Sequence, residues 1–154
     1  MIDQMLRMGH YTAHKIADHL FQGGFPPPGG GLRAAGVDVL VLCARQWQDN
    51  TGQSVYPGIH VIRAPGDDDS RPHRLTLFID GWMDAARQVA DHVREGRNVL
   101  VTCMAGQNRS GLVTAMALCL LTGMSGKDAV DHVSKTRPLA LNNQTFAQYV
   151  RDNF

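Results

Sequence analysis

The feature that most constrains the fold of this chain is the segment Val99–Gly111, which reads VLVTCMAGQNRSG. Its first part, Val99–Thr102, is short and apolar and is followed by turn-forming residues, as is typical of a buried strand. Ser110–Leu121 then runs apolar, without proline and rich in Ala and Leu, which predicts a buried helix. The chain must pass from a buried strand to a buried helix in a few residues, and this indicates an α/β layer fold.

Other apolar runs predict further strands of the same sheet. Val37–Cys43 and Ile59–Ala64 are apolar and contain β-branched residues, as buried strands do. Leu20–Phe21 is a shorter candidate strand, and it leads into the run GGFPPPGGG at 23–31. That run can form neither a helix nor a central strand, so we expect a shaped surface loop there.

Helical patterns alternate with these strands. Apolar residues at helical spacing predict an amphipathic helix over 74–95. A second helix is expected over about 126–136 with Ser125 as its N-cap, and a terminal helix over Thr145–Phe154. The alternation predicts an α/β fold with a central twisted sheet of about four to five strands and helices on both faces.

Composition excludes several classes of protein. Apolar residues make up 44% and charged residues 19%, which allows an ordinary core and excludes wholesale disorder. The length suits a single domain, 1–154. The net charge of +1 gives no reason to expect a nucleic-acid partner. Leu112–Leu121 is too short to span a bilayer, and Met1–Met8 lacks the apolar core of a signal peptide, so we expect a cytoplasmic protein without a membrane partner.

Potential metal ligands do not form a recognisable pattern. The three cysteines are too few and too scattered for a disulfide framework, and no two stand at C-x-x-C spacing. His10, His14 and His19 lie among polar neighbours, but the nearby acids do not complete a known ligand spacing. A surface or turn role is favoured for these histidines, and we expect neither a metal nor a cofactor.

The loop between the central strand and helix carries the expected chemistry. Cys103 and Arg109 stand in a C-x5-R spacing there. A tight loop at a helix N-terminus turns its amides inward and makes a nest for an oxyanion, with the helix dipole adding positive potential. Gly106 supplies the backbone freedom that such a loop needs, and Arg109 can grip two phosphate oxygens. The same surroundings favour the nucleophilic thiolate of Cys103, to which Ser110 can donate a hydrogen bond.

The segment CMAGQNRS, residues 103–110, resembles the signature loop of cysteine-dependent protein phosphatases of the dual-specificity and tyrosine phosphatase superfamily. The later stretch RPLALNNQTF, residues 137–146, resembles the Arg-Pro and Asn-x-x-Phe stretch near the end of dual-specificity phosphatases. Leu20–Gly24 and Val37–Cys43 resemble two of their early strands, so the resemblance covers the chain from about residue 19. One departure is Thr102, because the family usually has His immediately before the nucleophile.

This resemblance implies roles for the residues of the signature loop, 103–110. Cys103 is expected to be the nucleophile, and Arg109 is expected to bind the phosphate and stabilise its charge. Ser110 is expected to assist the sulfur as a leaving group. The remaining substrate-binding residues implied by the resemblance are Met104, Ala105, Gly106, Gln107 and Asn108.

The resemblance also implies a general acid and two supporting residues. In dual-specificity phosphatases the acid falls about six residues before the Leu that opens the next helix. Leu75 is that residue here, so the spacing selects Asp69, with Asp68 in reserve because a loop can slip by one residue. Gln144 resembles the water-positioning Gln of tyrosine-specific phosphatases, although an ordinary polar helix start remains open for it, and Asn143 is a candidate for loop support.

The sequence therefore predicts a phosphatase that hydrolyses phosphotyrosine, and also phosphoserine or phosphothreonine, in phosphorylated protein partners through a phosphocysteine intermediate. A phosphoinositide or RNA 5′-phosphate substrate is one alternative, ranked lower for inositol lipids because the signature loop lacks the extra Lys expected for them. A non-catalytic phosphate-binding module is the other, and it would require Thr102 to be fatal to catalysis.

Overall fold

The computed structural model of the chain describes residues 5–46 and 55–154. Within these residues, six strands form one sheet in the order β1-β2-β3-β6-β4-β5. The first three strands pair antiparallel, whereas β3, β6, β4 and β5 run parallel. The strands are β1 Met5–Met8, β2 Tyr11–Ala17, β3 Leu20–Gly23, β4 Val39–Ala44, β5 His60–Gly66 and β6 Val99–Thr102.

Helices cover the two faces of the sheet unequally. The four longer helices, α3 to α6, pack with one face in the larger core cluster, and the one-turn α1 packs in the smaller cluster on the other face. No helix in the described part of the chain is long and apolar enough to cross a membrane. The helices are α1 Gly31–Ala34, α2 Pro72–Leu75, α3 Ile79–Arg94, α4 Arg109–Thr122, α5 Gly126–Thr136 and α6 Gln144–Asn153.

The predicted α/β fold is confirmed, but the expected four to five strands are too few. The N-terminal hairpin β1-β2 adds two antiparallel strands at the edge of the sheet. His14 lies within β2, while His10 and His19 lie in the turns on either side of it. Because an edge hairpin turns many side chains to solvent, this segment lacks the continuous apolar run that marks the buried strands.

The helix predicted over 74–95 is two helices, α2 and α3, joined by a turn. Trp82 of α3 is fully buried, and its Nε1 donates to the carbonyl oxygen of Ala64 at 2.7 Å. Its ring also lies against Gly66, where an added Cβ would come within 2.2 Å of the indole. This packing fixes the end of β5, and so positions the acidic loop, residues 67–69, that follows it.

Strand β6 lies between β3 and β4 at the centre of the sheet, and α4 begins where the signature loop ends. Both elements are largely buried, in agreement with their mostly apolar sequences. The N-cap of α4, Asn108, makes no side-chain cap bond within the described chain, so the first amides of α4 stay available at the loop. The predicted helix after Ser125 is confirmed as α5, whose N-cap Ser125 accepts from the Asp128 amide.

Candidate active site

The signature loop is held from outside through its carbonyl oxygens. Four successive carbonyls, at 104–107, each accept a hydrogen bond from a donor that lies outside the loop. The acceptor and donor pairs are Met104 O with Phe25 N at 3.1 Å, Ala105 O with Arg137 Nη2 at 3.2 Å, Gly106 O with Gln22 Nε2 at 3.0 Å and Arg137 Nε at 2.6 Å, and Gln107 O with Leu141 N at 3.0 Å.

These bonds determine where the loop amides point. In a trans peptide the N–H points away from the carbonyl of the preceding residue, and the described chain contains no cis peptide. Because the carbonyls at 104–107 face outward, the amides at 105–108 face the interior of the loop. The first turn of α4 adds the positive end of its dipole. The loop is therefore built as an oxyanion nest at the end of β6.

Gly106 is the point at which this loop touches β3. Its φ of +69° lies in the left-handed region, and an added Cβ would stand 2.4 Å from the carbonyl carbon of Gly23 and 2.5 Å from the nitrogen of Gly24. A side chain at this position would therefore meet both a conformational and a steric penalty. Glycine lets the loop pack directly on the end of β3.

Cys103 occupies the floor of the nest, and its side chain is almost completely buried. Its Sγ lies 3.3 Å from the hydroxyl Oγ of Ser110, in the first turn of α4. The preceding hydroxyl, that of Thr102, donates to the carbonyl oxygen of Val41 at 2.8 Å. Of these two hydroxyls, the one that contacts the sulfur is therefore that of Ser110, seven residues after the nucleophile, and not that of the adjacent Thr102.

Arg109 is buried with part of its guanidinium unpaired. Its Nη1 donates to Gln46 Oε1 at 2.7 Å and to the carbonyl oxygen of Gly66 at 3.0 Å. Its Nε is buried and finds no acceptor among the described residues. A buried donor without an acceptor is rare in a folded protein. The Nε–H of the guanidinium is therefore suited to donate a hydrogen bond to a phosphate oxygen.

The acidic loop places two of its three carboxylates against arginines. Asp67 accepts from Arg45 Nε at 2.7 Å and from Arg74 Nη2 at 3.3 Å. Asp69, the acid selected by sequence spacing, accepts from the Arg71 amide at 2.9 Å and from Arg71 Nη2 at 2.6 Å. The hydrogen bonds from Arg71 hold the pKa of Asp69 well below its ordinary value. Asp69 is therefore stabilised in its ionised form.

Asp68 is the acidic residue that contacts the signature loop. Its Oδ2 accepts from Asn108 Nδ2 at 2.9 Å, and its Oδ1 accepts from Asn143 Nδ2 at 2.9 Å. Asn143 caps α6 through the Phe146 amide, and its own amide donates to Asn108 Oδ1 at 2.8 Å. Asn143 thus joins the acidic loop to the signature loop.

Gln144 does not share the contacts that its neighbour Asn143 makes with the acidic loop and the signature loop. Its side chain is exposed, and its Nε2 lies 3.5 Å from the carbonyl oxygen of Asn142, the limit of a hydrogen bond. It lines a groove of about 510 Å³ between α2 and α6 together with Tyr149. The contact with Asn142 is typical of a polar helix start, and it does not join Gln144 to Cys103.

Sequence reasoning missed the residues that support the loop from behind. Gln22, Arg137 and His14 form a chain of contacts that ends on the Gly106 carbonyl. Gln22 offered one signal, because a polar residue in a strand of the central sheet needs a specific partner. Among the described residues, no group of three His, Cys, Asp or Glu side chains is arranged to hold a metal ion.

Comparisons with known proteins agree with this geometry. The model of the dual specificity phosphatase catalytic domain matches residues 32–153. A dual specificity protein phosphatase 1 from Arabidopsis thaliana is 29% identical over 98 residues, which is 64% of this chain and 45% of that protein, so the match spans less than half of the plant protein.

Solved structures share the fold. Human DUSP28 superposes with a TM-score of 0.71 at 27% identity, covering 90% of this chain and 94% of that one. A phosphatase named Tk-PTP, in its active form, gives a TM-score of 0.72 at 22% identity over 92% and 97% of the two chains. With the family model matching most of its length, the chain belongs to the dual specificity phosphatase family.

Proposed function

We propose that this protein hydrolyses phosphotyrosine, and also phosphoserine or phosphothreonine, in proteins through a phosphocysteine intermediate on Cys103. The observation that carries the proposal is the nest itself. Four amides that face the interior of the loop, and the buried Nε of Arg109, which finds no acceptor among the described residues, belong to the same loop as the buried Cys103. Such preorganised donors stabilise the charge of a phosphoryl group in its transition state.

The proposed reaction has two steps. The Cys103 thiolate attacks phosphorus in line, the bond to the ester oxygen breaks, and a protonated aspartate gives its proton to that oxygen. Water then attacks phosphorus, gives a proton to the same aspartate, and displaces the thiolate, releasing phosphate. Arg109 and the loop amides hold the other phosphoryl oxygens throughout, and Ser110 donates a hydrogen bond to the departing sulfur.

We propose Asp68, the reserve candidate, as the general acid in preference to Asp69. Asp68 contacts Asn108 of the signature loop, whereas Asp69 is held by Arg71. An acid must be protonated when substrate binds, and the depressed pKa of Asp69 opposes this.

A protein substrate is supported by the rim of the loop and by the relatives. Met104 and Ala105 are exposed at the rim, and no lysine lies within 103–110 to hold further phosphates. The similar plant protein is named a dual specificity protein phosphatase. We therefore rank phosphorylated proteins above inositol phosphates as substrates.

The test compares the natural protein with Cys103→Ser on an aryl phosphate, on phosphotyrosine and phosphoserine peptides, and on a phosphoinositide. The natural protein is expected to release phosphate from aryl phosphate and phosphopeptides without added metal, whereas Cys103→Ser should retain phosphate binding and lose turnover. Turnover by Cys103→Ser would overturn the phosphocysteine step. Faster release from the phosphoinositide than from the peptides would replace the proposed substrate, and phosphate binding without turnover would identify a binding module.

A further inference from the structure

We propose that Gln22, Arg137 and His14 are positioning residues that hold the signature loop in its oxyanion-binding shape from behind. The inference rests on the proposed function of that loop, and it assigns a task to three side chains that lie outside the loop itself. None of the three needs to touch the substrate. They act through the carbonyl oxygens of Ala105 and Gly106.

The peptide between Gly106 and Gln107 is the point on which they act. The Gly106 carbonyl accepts from Gln22 Nε2 at 3.0 Å and from Arg137 Nε at 2.6 Å. Both lone pairs of this oxygen are thus engaged outside the loop. Since a peptide is planar, fixing the carbonyl also fixes the Gln107 N–H toward the nest. If the peptide turned over, it would aim a carbonyl oxygen at the bound anion instead.

Gln22 destabilises the core at its position in β3. It is fully buried in β3 beside Val101 of the central strand β6, and its Oε1 finds no donor within the described chain. A buried amide oxygen without a partner destabilises a fold. Its Nε2, in contrast, is satisfied by the Gly106 carbonyl. An apolar side chain would suit the core better, so the residue is explained by what it does for the loop.

Arg137 reaches the loop from the end of α5 with three donors in use. Besides the bond to Gly106, its Nη2 donates to the carbonyl oxygen of Ala105 at 3.2 Å, and its Nη1 lies 2.8 Å from His14 Nδ1. A guanidinium has only donors, so His14 Nδ1 must accept and the ring must be neutral, with its proton on Nε2. His14 therefore fixes the guanidinium that in turn fixes two loop carbonyls.

The surroundings of His14 make this bond sensitive to acid. Across the sheet, His14 pairs with Met5 of β1 and Gln22 of β3, and Arg7 lies two residues from Met5 along β1. From the helical layer it faces Arg137, and α5 also packs His132 against the Ile16 carbonyl of β2. Burial and the Arg137 charge lower the pKa of His14 from its ordinary value of about 6.5.

The sign of the pH effect follows from that lowered pKa. Near neutral pH, His14 is neutral in the folded protein and accepts from Arg137. As the pH falls below about 6.5, the unfolded chain takes up the proton first, so folding loses stability. Protonation in the folded protein replaces the hydrogen bond with two facing cations. The loop then loses the contact that orients Arg137.

We call the hydrogen bonds from His14 through Arg137, together with that from Gln22, to the loop carbonyls the relay. The relay also bears on Thr102, which stands where the family usually has His. The Thr102 hydroxyl is occupied by the Val41 carbonyl, on the neighbouring strand β4. The bonds from Gln22 and Arg137 approach the loop from β3 and α5 instead. This chain therefore supports its loop from the side opposite to the Thr102 hydroxyl bond.

The first experiment separates positioning from folding. In Gln22→Met, the unsatisfied amide oxygen and the bond to Gly106 are removed together, with little change of volume. Sulfate affinity, measured by NMR titration, is expected to fall about fivefold, and kcat/KM on an aryl phosphate by a similar factor, since one neutral hydrogen bond is lost. The melting temperature should be unchanged or higher.

Thr114→Val is the matched control. Thr114 is also fully buried, and its hydroxyl finds no partner within the described residues. The melting temperature of this variant should likewise hold or rise, while sulfate affinity stays at the level of the natural protein. Equal sulfate affinity in Gln22→Met and the natural protein would overturn the role of Gln22. A fall of the same size in Thr114→Val would show a general effect of core changes and would also overturn it.

The second experiment uses the acidity of His14. The side-chain oxygen of His14→Asn can accept from Arg137 but cannot be protonated in this range, whereas His14→Leu offers no acceptor. Sulfate stays a dianion between about pH 5 and 8, the range in which histidine titrates. We expect His14→Asn to hold sulfate affinity down to about pH 5 while the natural protein loses it. His14→Leu should bind sulfate weakly throughout.

Two outcomes distinguish this inference from the proposed function. If the natural protein binds sulfate and hydrolyses the aryl phosphate, but loses sulfate affinity with falling pH in parallel with His14→Asn, the relay is wrong and the proposed function stands. If the natural protein neither binds sulfate nor turns over the aryl phosphate, both are wrong. Binding without turnover would leave the relay supported by its sulfate data and overturn the catalytic proposal alone.

Discussion

Arg109 belongs to the signature loop and Arg137 contacts it from outside, and the two arginines use their hydrogen-bond donors in opposite ways. Arg109 lies inside, and its Nε is buried without an acceptor in the described chain. Arg137 lies outside, and its Nε and both terminal nitrogens have partners in Gly106, Ala105 and His14. A buried donor without a partner is retained where a ligand can supply the acceptor, whereas satisfied donors fix the shape of what they contact.

Roles at this site therefore follow from which donors are already used, and residue type alone does not assign them. The anchoring of Arg109 Nη1 on Gln46 and Gly66 makes the same point, because one part of the guanidinium is structural and another is free for a ligand. The two carboxylates of Asp68 and Asp69 differ in the same manner. One contacts amides of the signature loop region, and the other is bound to an arginine.

The largest effect is expected from replacing each arginine with lysine. Arg109→Lys removes the planar fork directed at the phosphoryl group, and kcat should fall on the order of 10³-fold, as for the loss of a main transition-state donor. Arg137→Lys keeps the charge but not the three-way set of bonds, and kcat/KM should fall only about tenfold. Steady-state kinetics on one aryl phosphate measures both.

Equal losses of activity in Arg109→Lys and Arg137→Lys would contradict the different roles assigned to the two arginines. A further test adds guanidine hydrochloride at low concentration, because free guanidinium can enter a site from which the arginine side chain has been removed. Partial rescue is expected for Arg109→Ala, where the inward position is vacated. No rescue by guanidinium would remove the argument that this position acts through its Nε, which finds no acceptor among the described residues.

A second contrast concerns the acidic loop. Asp68→Asn should lower turnover on substrates with poor leaving groups by roughly 10²–10⁴, the usual contribution of a positioned acid, and much less on a substrate whose leaving group needs no proton. Asp69→Asn should lower turnover by less than tenfold on both, because it loses only its ion pairs with Arg71 and Arg74. The measurement is kcat/KM for a series of aryl phosphates of graded leaving-group pKa. A leaving-group dependence that disappears in Asp69→Asn instead would return the acid to the position selected by sequence spacing.

The central part of the fold could be predicted because its residues are buried on every side. The predicted strand Val99–Thr102 is observed at those bounds, and α5 begins directly after the predicted cap Ser125. The hairpin β1-β2 could not be predicted in the same way. Residues such as His14 and Lys15 face partly to solvent, and a register irregularity between Lys15 and Ala17 interrupts the alternation of the strand.

The candidate site, like the fold, could be predicted only where its contacts are local in sequence. The spacing of Cys103 to Arg109 is local, so the sequence indicates an oxyanion nest without knowledge of the rest of the fold. Contacts of Gln22 and His14 join residues that lie 84 and 123 positions apart, and no local pattern encodes them. The preference proposed for Asp68 over Asp69 also rests on a distant contact, because Asp68 accepts from Asn108, 40 positions later in the chain, whereas Asp69 accepts from the nearby Arg71.

The smallest contrast is between two hydroxyl residues, Ser110, which contacts the nucleophile in space, and Thr102, which precedes it in sequence. Ser110 Oγ lies 3.3 Å from Cys103 Sγ, whereas Thr102 Oγ1 donates to the Val41 carbonyl. Ser110→Ala should slow hydrolysis of the phosphocysteine about tenfold, because the leaving thiolate loses its hydrogen bond. The first step, in which no thiolate departs, should change less. Thr102→Val should cost about 1 kcal/mol of stability and leave both steps within twofold, since its hydroxyl bonds to the backbone of β4.

Rapid-mixing kinetics with an aryl phosphate separates the two steps. Ser110→Ala should show a burst of phenol release followed by a slow steady rate, and Thr102→Val should show the time course of the natural protein with a lower melting temperature. If Thr102→Val produced the burst, departure of the sulfur would depend on the residue before it. A burst confined to Ser110→Ala would assign the support of the leaving sulfur to the first turn of α4, and would explain how this chain accommodates Thr at position 102.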